Sequence, residues 1–313
     1  MGDVTVQSTP SDTPPKAVPK TQLISVRLLV NSDGKGVPAF NQGNYHDKLP
    51  VQNADNSRTI QSSGCGLCAW TSVMAAAGCC APVFTDVDST NLTVPSLGAA
   101  PINPSNLLKY FSDYALSLTP PSQGLDRQPE GWADPKREAA ASKFANSKIF
   151  NDTESGVLRN DSSTVMAAIN KLVALNHPGT TPSFDNSQGG GGAAIGTNIG
   201  AISSALEAGN PVILAVCFDS DSNPSHQVLA VGVATIKDQT YYVINDSGFG
   251  TTDPFPALKS MGASISLTTL GGVTASAKRN GTWGYGKINT YRILGGLQSV
   301  TNLTLQPPPF VKK

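Results

Sequence analysis

Ser62-Ser63-Gly64-Cys65-Gly66-Leu67-Cys68-Ala69-Trp70-Thr71-Ser72-Val73-Met74-Ala75-Ala76-Ala77-Gly78 joins a helix pattern, a cysteine and a helix stop within one short segment. Leu67, Trp70, Val73, Met74 and Ala77 recur at offsets of three and four, which predicts a helix over Gly66–Ala77 with an apolar stripe turned to a core. Gly78 stands where a terminating glycine belongs. Cys65 opens the helix, and the positive end of the helix dipole there favours thiolate over thiol. The alternative is a buried cysteine packing as a small hydrophobe, the commoner fate of a lone cysteine.

Working outward, His226 raises Cys65 above that alternative. It is one of three histidines and enters an apolar strand, Ser225-His226-Gln227-Val228-Leu229-Ala230-Val231-Gly232-Val233, from which an imidazole faces a helix packed across a cleft. Asp246 ends the next strand within Tyr241-Tyr242-Val243-Ile244-Asn245-Asp246-Ser247-Gly248, positioned to accept the second ring N–H and fix the tautomer. Cysteine, histidine and aspartate at successive element ends fit acyl-transfer chemistry.

These residues resemble a known family. Gly64-Cys65-Gly66 followed by Met74 and Gly78 is similar to the nucleophile helix of papain-like cysteine peptidases, in particular the bacteriocin-processing (double-glycine leader) branch. Phe40-Asn41-Gln42, with Thr59–Gly64 leading into Cys65, resembles the family's stretch between its oxyanion-hole glutamine and its cysteine. Leu206–Ile213 resembles the helix, glycine and Pro-Val strand before its histidine, and Ile244-Asn245-Asp246 its closing strand. The resemblance covers roughly 42–78 and 199–250, and Leu67 and Ser247 stand where the family commonly has proline. It implies an α+β, papain-like fold with an N-terminal nucleophile helix packed on a C-terminal antiparallel sheet. It also implies a thiol hydrolase without cofactor or metal: Cys65 attacks, His226 moves the proton, Asp246 orients it, and the Gln42 side-chain amide with the Cys65 N–H stabilises the oxyanion.

Rivals exist at each position. Cys68 is the second nucleophile candidate, because Cys65-Gly66-Leu67-Cys68-Ala69-Trp70 is also similar to papain's own Cys-Gly-Ser-Cys-Trp segment, where the second cysteine attacks. The weaker dipole one turn into the helix and the register of Met74 and Gly78 favour Cys65. Gln61 is the fallback for Gln42, and Asn245 for Asp246. A Cys-x-x-Cys zinc or redox site lacks a second pair at ligand spacing. His46 and His177 read as solvated loop residues, and Cys79, Cys80 and Cys217 as core thiols. Trp132 and Trp283 either line a groove or pin a loop.

The rest of the chain supplies a frame. Elements are expected at Leu23–Val30 (strand), Ser105–Leu116, Pro135–Ser147, Ser163–Leu175 and Ile199–Ala208 (helices). Further strands are expected at Pro211–Phe218, Gln227–Thr235, Tyr241–Ile244, Ile265–Leu270 and Tyr291–Leu294. The stretch from Pro82 to about Asn160 reads as irregular, with a surface loop over Leu118–Gly131. Gly189–Gly192 lacks the Lys-Ser/Thr ending of a phosphate loop and reads as a mobile loop. The domain is expected over 23–300 with an insertion around 80–160. It is flanked by a proline-rich arm over 1–22 and a proline-rich tail over 301–313, both expected to meet protein partners.

The 313 residues are 39% hydrophobic, enough for a sizeable core, and contain no run of about 18 apolar residues, so membrane insertion is not expected. Twenty-two basic against 22 acidic residues leave no field that favours nucleic acid. Charged residues are 14%, and so weakly repelling a surface suits a chain packed into an assembly. Five cysteines and no secretory signal pattern imply synthesis in a reducing cytoplasm, with a virion or secretion apparatus as carrier. Three functions follow as expectations: hydrolysis of a peptide, such as a peptidoglycan stem; a catalytically idle adaptor; and glutamine deamidation or acyl transfer by a toxin.

Overall fold

The computed structural model describes residues 23–49, 58–83, 87–88, 91–92, 96–118, 163–180, 195–217, 226–236, 239–248, 265–269, 287–293 and 298–307. The expected arm over 1–22, the helix at 135–147 and the glycine loop at 189–192 lie outside these residues. So do Trp132, Trp283 and most of the expected 118–131 loop.

Helices and antiparallel strands share one core, an α+β layout. Strand β1 (Leu23–Val30) precedes the short helix α1 (Ile60–Ser63) and helix α2 (Cys65–Ala76). Strands β2 (Cys80–Val83), β3 (Val87–Asp88), β4 (Asn91–Leu92) and β5 (Ser96–Pro101) follow. Helices α3 (Pro104–Leu118), α4 (Ser163–Asn176) and α5 (Ile195–Glu207) come next. Strands β6 (Val212–Cys217), β7 (His226–Ile236), β8 (Gln239–Asn245), β9 (Ile265–Thr269) and β10 (Lys287–Ile293) lead to helix α6 (Gln298–Thr301) and strand β11 (Thr304–Gln306).

The long strand β7 is the spine of the main sheet. Along one edge it pairs with β8, from Leu229↔Asn245 to Ile236↔Gln239. Its other edge is shared: the first half pairs with β6 (His226↔Val216 to Ala230↔Val212) and the second with β1 (Gly232↔Leu28 to Ile236↔Leu23). Strand β10 extends the sheet beyond β6, β11 beyond β1, and β9 beyond β8, all antiparallel. Consecutive residues Val212–Ala215 of β6 and Val228–Val231 of β7 are buried, so both faces of the sheet centre are covered.

Helix α2 packs on β7 and α3. Its apolar stripe is wider than the sequence pattern predicts, because every residue from Cys65 to Met74 is buried. A helix enclosed all round must satisfy its polar side chains internally. Thr71 does so by donating to the Leu67 carbonyl (2.7 Å) and Ser72 to the Cys68 carbonyl (3.0 Å). Gly78, at φ 67°, ends the helix in a Schellman arrangement: the Cys79 N–H reaches the Met74 carbonyl and the Gly78 N–H that of Ala75, both at 3.0 Å.

Two expectations need correction. The region after Pro82 is not irregular throughout: β2 pairs with β5 and β3 with β4. Strands β2, β3 and β4 are too short for a period-two pattern, and β5, Ser-Leu-Gly-Ala-Ala-Pro, consists mostly of weak strand formers, so tertiary contact makes them rather than propensity. The helix expected near Ser105–Leu116 is α3, whose Leu107, Tyr110 and Phe111 are fully buried in the common core. The tail begins later than 301, because Thr304–Gln306 pairs with Leu28–Val30 and Leu303 is buried. Among the described residues, no helix is long and apolar enough to cross a membrane.

Candidate active site

The approach to Cys65 is fixed by backbone and side-chain hydrogen bonds. Thr59 caps α1 with a capping box: its hydroxyl accepts the Ser62 N–H while the Ser62 hydroxyl accepts the Thr59 N–H (3.0 Å). Gly64 closes α1 by donating to the Ile60 carbonyl (2.7 Å) and starts α2 by accepting from the Cys68 N–H (2.9 Å). One residue thus serves both helices and places Cys65 in the first turn of α2, at the positive end of its dipole.

His226 is the first residue of β7, and Asp246 follows the last residue of β8. Leu229 pairs with Asn245, and continuing this antiparallel register sets Asp246 opposite Val228 and Gly248 opposite His226. Asp246 and Gly248 therefore fall on the histidine's own face. The side chains meet as that register requires: His226 Nε2 lies 2.7 Å from Asp246 Oδ1, with both residues buried. A carboxylate can only accept, so Nε2 carries the proton and Nδ1 is the nitrogen left for Cys65. The Cys65 sulfur is hydrogen-bonded to the ring. Cysteine, histidine and aspartate from three elements thus form one continuous chain.

The electrostatics of the ring follow from its neighbours. Burial alone would pull the His226 pKa down, but the Asp246 carboxylate and the Cys65 sulfur, by charge and hydrogen bonding, outweigh it and push it up from 6.5 to about 10. With the Asp246 carboxylate and the Cys65 sulfur acting in the same direction, the imidazolium is the favoured form of the ring at neutral pH. Cys68 behaves in the opposite sense. It lies one turn deeper and is 1% exposed, and burial, reinforced by the charge of Cys65, raises its thiol far above the ordinary range. Of the two cysteines, only Cys65 is coupled to the imidazole.

Gln42 begins a single 3-10 turn, Gln42–Asn44, capped by the Asn41 side chain accepting from the Gly43 N–H (2.8 Å). Its buried amide is held at both ends. Nε2 donates to the Gln61 carbonyl (2.8 Å) and Oε1 accepts from the Ser247 hydroxyl (3.2 Å), while the backbone N–H donates to the Ser247 carbonyl (3.0 Å). Gln42 is thereby tied to the loop that carries Asp246 and to α1, the helix that delivers Cys65.

The fallback residues are engaged elsewhere. The Gln61 side chain faces His46, with Oε1 3.2 Å from Nδ1. Asn245 donates to the carbonyls of Val37 (3.1 Å) and Pro38 (3.2 Å), away from the ring. His46 is exposed as expected, whereas His177 is not a solvated loop residue: half-buried, its Nε2 lies 2.6 Å from the Ala77 carbonyl at the end of α2. A lone histidine beyond a helix gave no signal of that tie. Cys79 is buried, and burial raises its thiol. Cys80 is half-buried, and the Cys217 side chain lies outside the described residues. No group of three or more His, Cys, Asp or Glu side chains that could hold a metal occurs among the described residues.

Gly248 is a further position at the candidate site that residue type alone does not reveal. Its N–H donates to Asp246 Oδ1 (2.9 Å), the oxygen that also receives His226 Nε2. A Cβ at this position would sit 2.9 Å from His226 Cε1, closer than real Cβ contacts come, and 3.1 Å from Nε2, tighter than most of them. The ring fits only because residue 248 has no side chain. Counting the strand register from His226 across to Ser247-Gly248 would have exposed the constraint. Comparisons with protein-family models, with curated proteins and with solved structures returned no match.

Proposed function

We propose that this chain is a thiol hydrolase of papain-like fold that cleaves a peptide or amide bond. The observation that carries the reading is the continuous Cys65–His226–Asp246 chain at the start of a buried helix. The Cys65 thiolate attacks the carbonyl carbon, and the π electrons move to oxygen, where the Gln42 amide and the Cys65 N–H stabilise the charge. Collapse expels the amine, which takes its proton from His226, and leaves a thioester. Water, deprotonated by His226, then attacks the thioester and releases the carboxylic acid. Asp246 holds the ring in one tautomer throughout.

As substrate we propose a peptide stem of bacterial peptidoglycan, cut by an enzyme carried within a virion or secretion assembly. The weakly charged composition, 14% Asp, Glu, Lys and Arg, supports packing into such an assembly. Purified sacculi are the direct test. Release of peptide fragments by wild type and by Cys68→Ala, with none from Cys65→Ala, is the expected result. Intact sacculi with both active forms would remove that substrate, and incorporation of an added amine into protein glutamine without chain cleavage would turn the reading to acyl transfer.

A further inference from the structure

We infer that Ser247 is a positioning residue that sets the Gln42 amide for its role in the oxyanion hole, which makes Asp246-Ser247-Gly248 a single clamp on both halves of the site. The inference rests on the thiol-hydrolase reading and extends it to a residue whose hydroxyl is bonded to Gln42.

Ser247 grips Gln42 twice. Its carbonyl accepts the Gln42 backbone N–H at 3.0 Å and its hydroxyl donates to Gln42 Oε1 at 3.2 Å, both residues being buried. A glutamine amide can rotate, and only its nitrogen end donates, so an oxyanion donor has to be held with the correct end forward. The Gln61 carbonyl, 2.8 Å from Nε2, is an acceptor only and fixes which end is nitrogen. That bond occupies one of the two amide hydrogens and leaves the second for an oxyanion. The Ser247 hydroxyl holds the opposite end. Without it Oε1 is a buried acceptor lacking a donor, and the amide gains by turning toward water.

The neighbours of Ser247 in the chain act on the other half of the site. Asp246 Oδ1 takes the His226 Nε2–H, and Gly248 donates to the same oxygen while leaving room for the ring. Three consecutive residues therefore set the base and the oxyanion donor relative to each other.

Two reagents separate these roles. Iodoacetamide alkylates sulfur by direct displacement of iodide and develops no oxyanion. p-Nitrophenyl acetate acetylates it through a tetrahedral adduct: the sulfur–carbon bond forms, charge passes through the carbonyl oxygen, and p-nitrophenolate leaves. With both followed at Cys65 by peptide mass spectrometry, Ser247→Ala should slow acetylation about tenfold while alkylation stays within about twofold of wild type. Ser247→Thr, which keeps the hydroxyl, should restore acetylation. In a Gln42→Ala background Ser247→Ala should add nothing, because its effect runs through that amide.

Acetylation at the wild-type rate in Ser247→Ala, or a full additional loss in the Gln42→Ala background, would overturn the inference. A parallel fall in alkylation would do so too, by showing that Ser247 merely supports Cys65 and His226. If Cys65 of the wild type alkylates but never acetylates, the thiol-hydrolase reading itself is wrong and this one goes with it.

Discussion

At the residue scale, position along one helix separates two cysteines of the same segment. Cys65, in the first turn, has the helix dipole and an imidazole; Cys68, one turn on, is enclosed in the core and is held as a thiol by burial, reinforced by the charge of Cys65. Gly248 offers a sharper test of ring placement. Gly248→Ala forces the His226 ring or the loop to move by several tenths of an ångström, and misplacement on that scale should cost on the order of tenfold in Cys65 alkylation at neutral pH. An alkylation rate equal to that of wild type would mean that the ring does not need its present place. Cys65, His226 and Asp246 were legible because their residue types and element-end positions announce chemistry. Ser247 and Gly248 were not, since one acts through a hydroxyl on a partner 205 positions away and the other through the absence of a side chain.

At the element scale, the helix ends behave as their sequences predict. Both α2 and α5 finish on a glycine at positive φ, Gly78 and Gly209, with the paired Schellman bonds behind them. A Cβ on Gly78 would meet nothing within 4 Å, so Gly78→Ala isolates backbone strain. Its expected cost is roughly 1 kcal/mol in urea unfolding, with activity unchanged. A loss several times larger would mean that the cap does more than end the helix. Long periodic segments such as α2, α4 and β7 were readable for the same reason that they fold: each carries its pattern within itself. The strands β2, β5 and β11 carry none, being short or built from weak strand formers, and exist through what they pair with.

At the scale of the whole molecule, the α+β layout was legible but the strand order was not. Strand β1 pairs with β7 and β11, partners more than 200 positions away, and no local pattern encodes such a choice. The sheet in turn makes the histidine a contributor to stability. Because folding raises the His226 pKa from 6.5 to about 10, the protonated ring stabilises the fold in full below pH 6.5, and that contribution is lost as pH rises through about 10. The Tm advantage of wild type over His226→Gln should therefore be largest in mild acid and shrink steadily toward pH 10. An advantage that grows with pH over this window would show a neutral histidine in the folded protein.

The central claim is that Cys65 is a thiolate held by His226, and limiting alkylation between about pH 5 and 8, mapped by mass spectrometry, tests it most directly. Cys65 should label early and alone, at pH values where an ordinary thiol of pKa about 8.5 is still protonated, and His226→Ala should abolish that labelling or move it to higher pH. Slow, uniform labelling of several cysteines, unchanged by His226→Ala, would contradict the account and leave an idle fold in place of an enzyme.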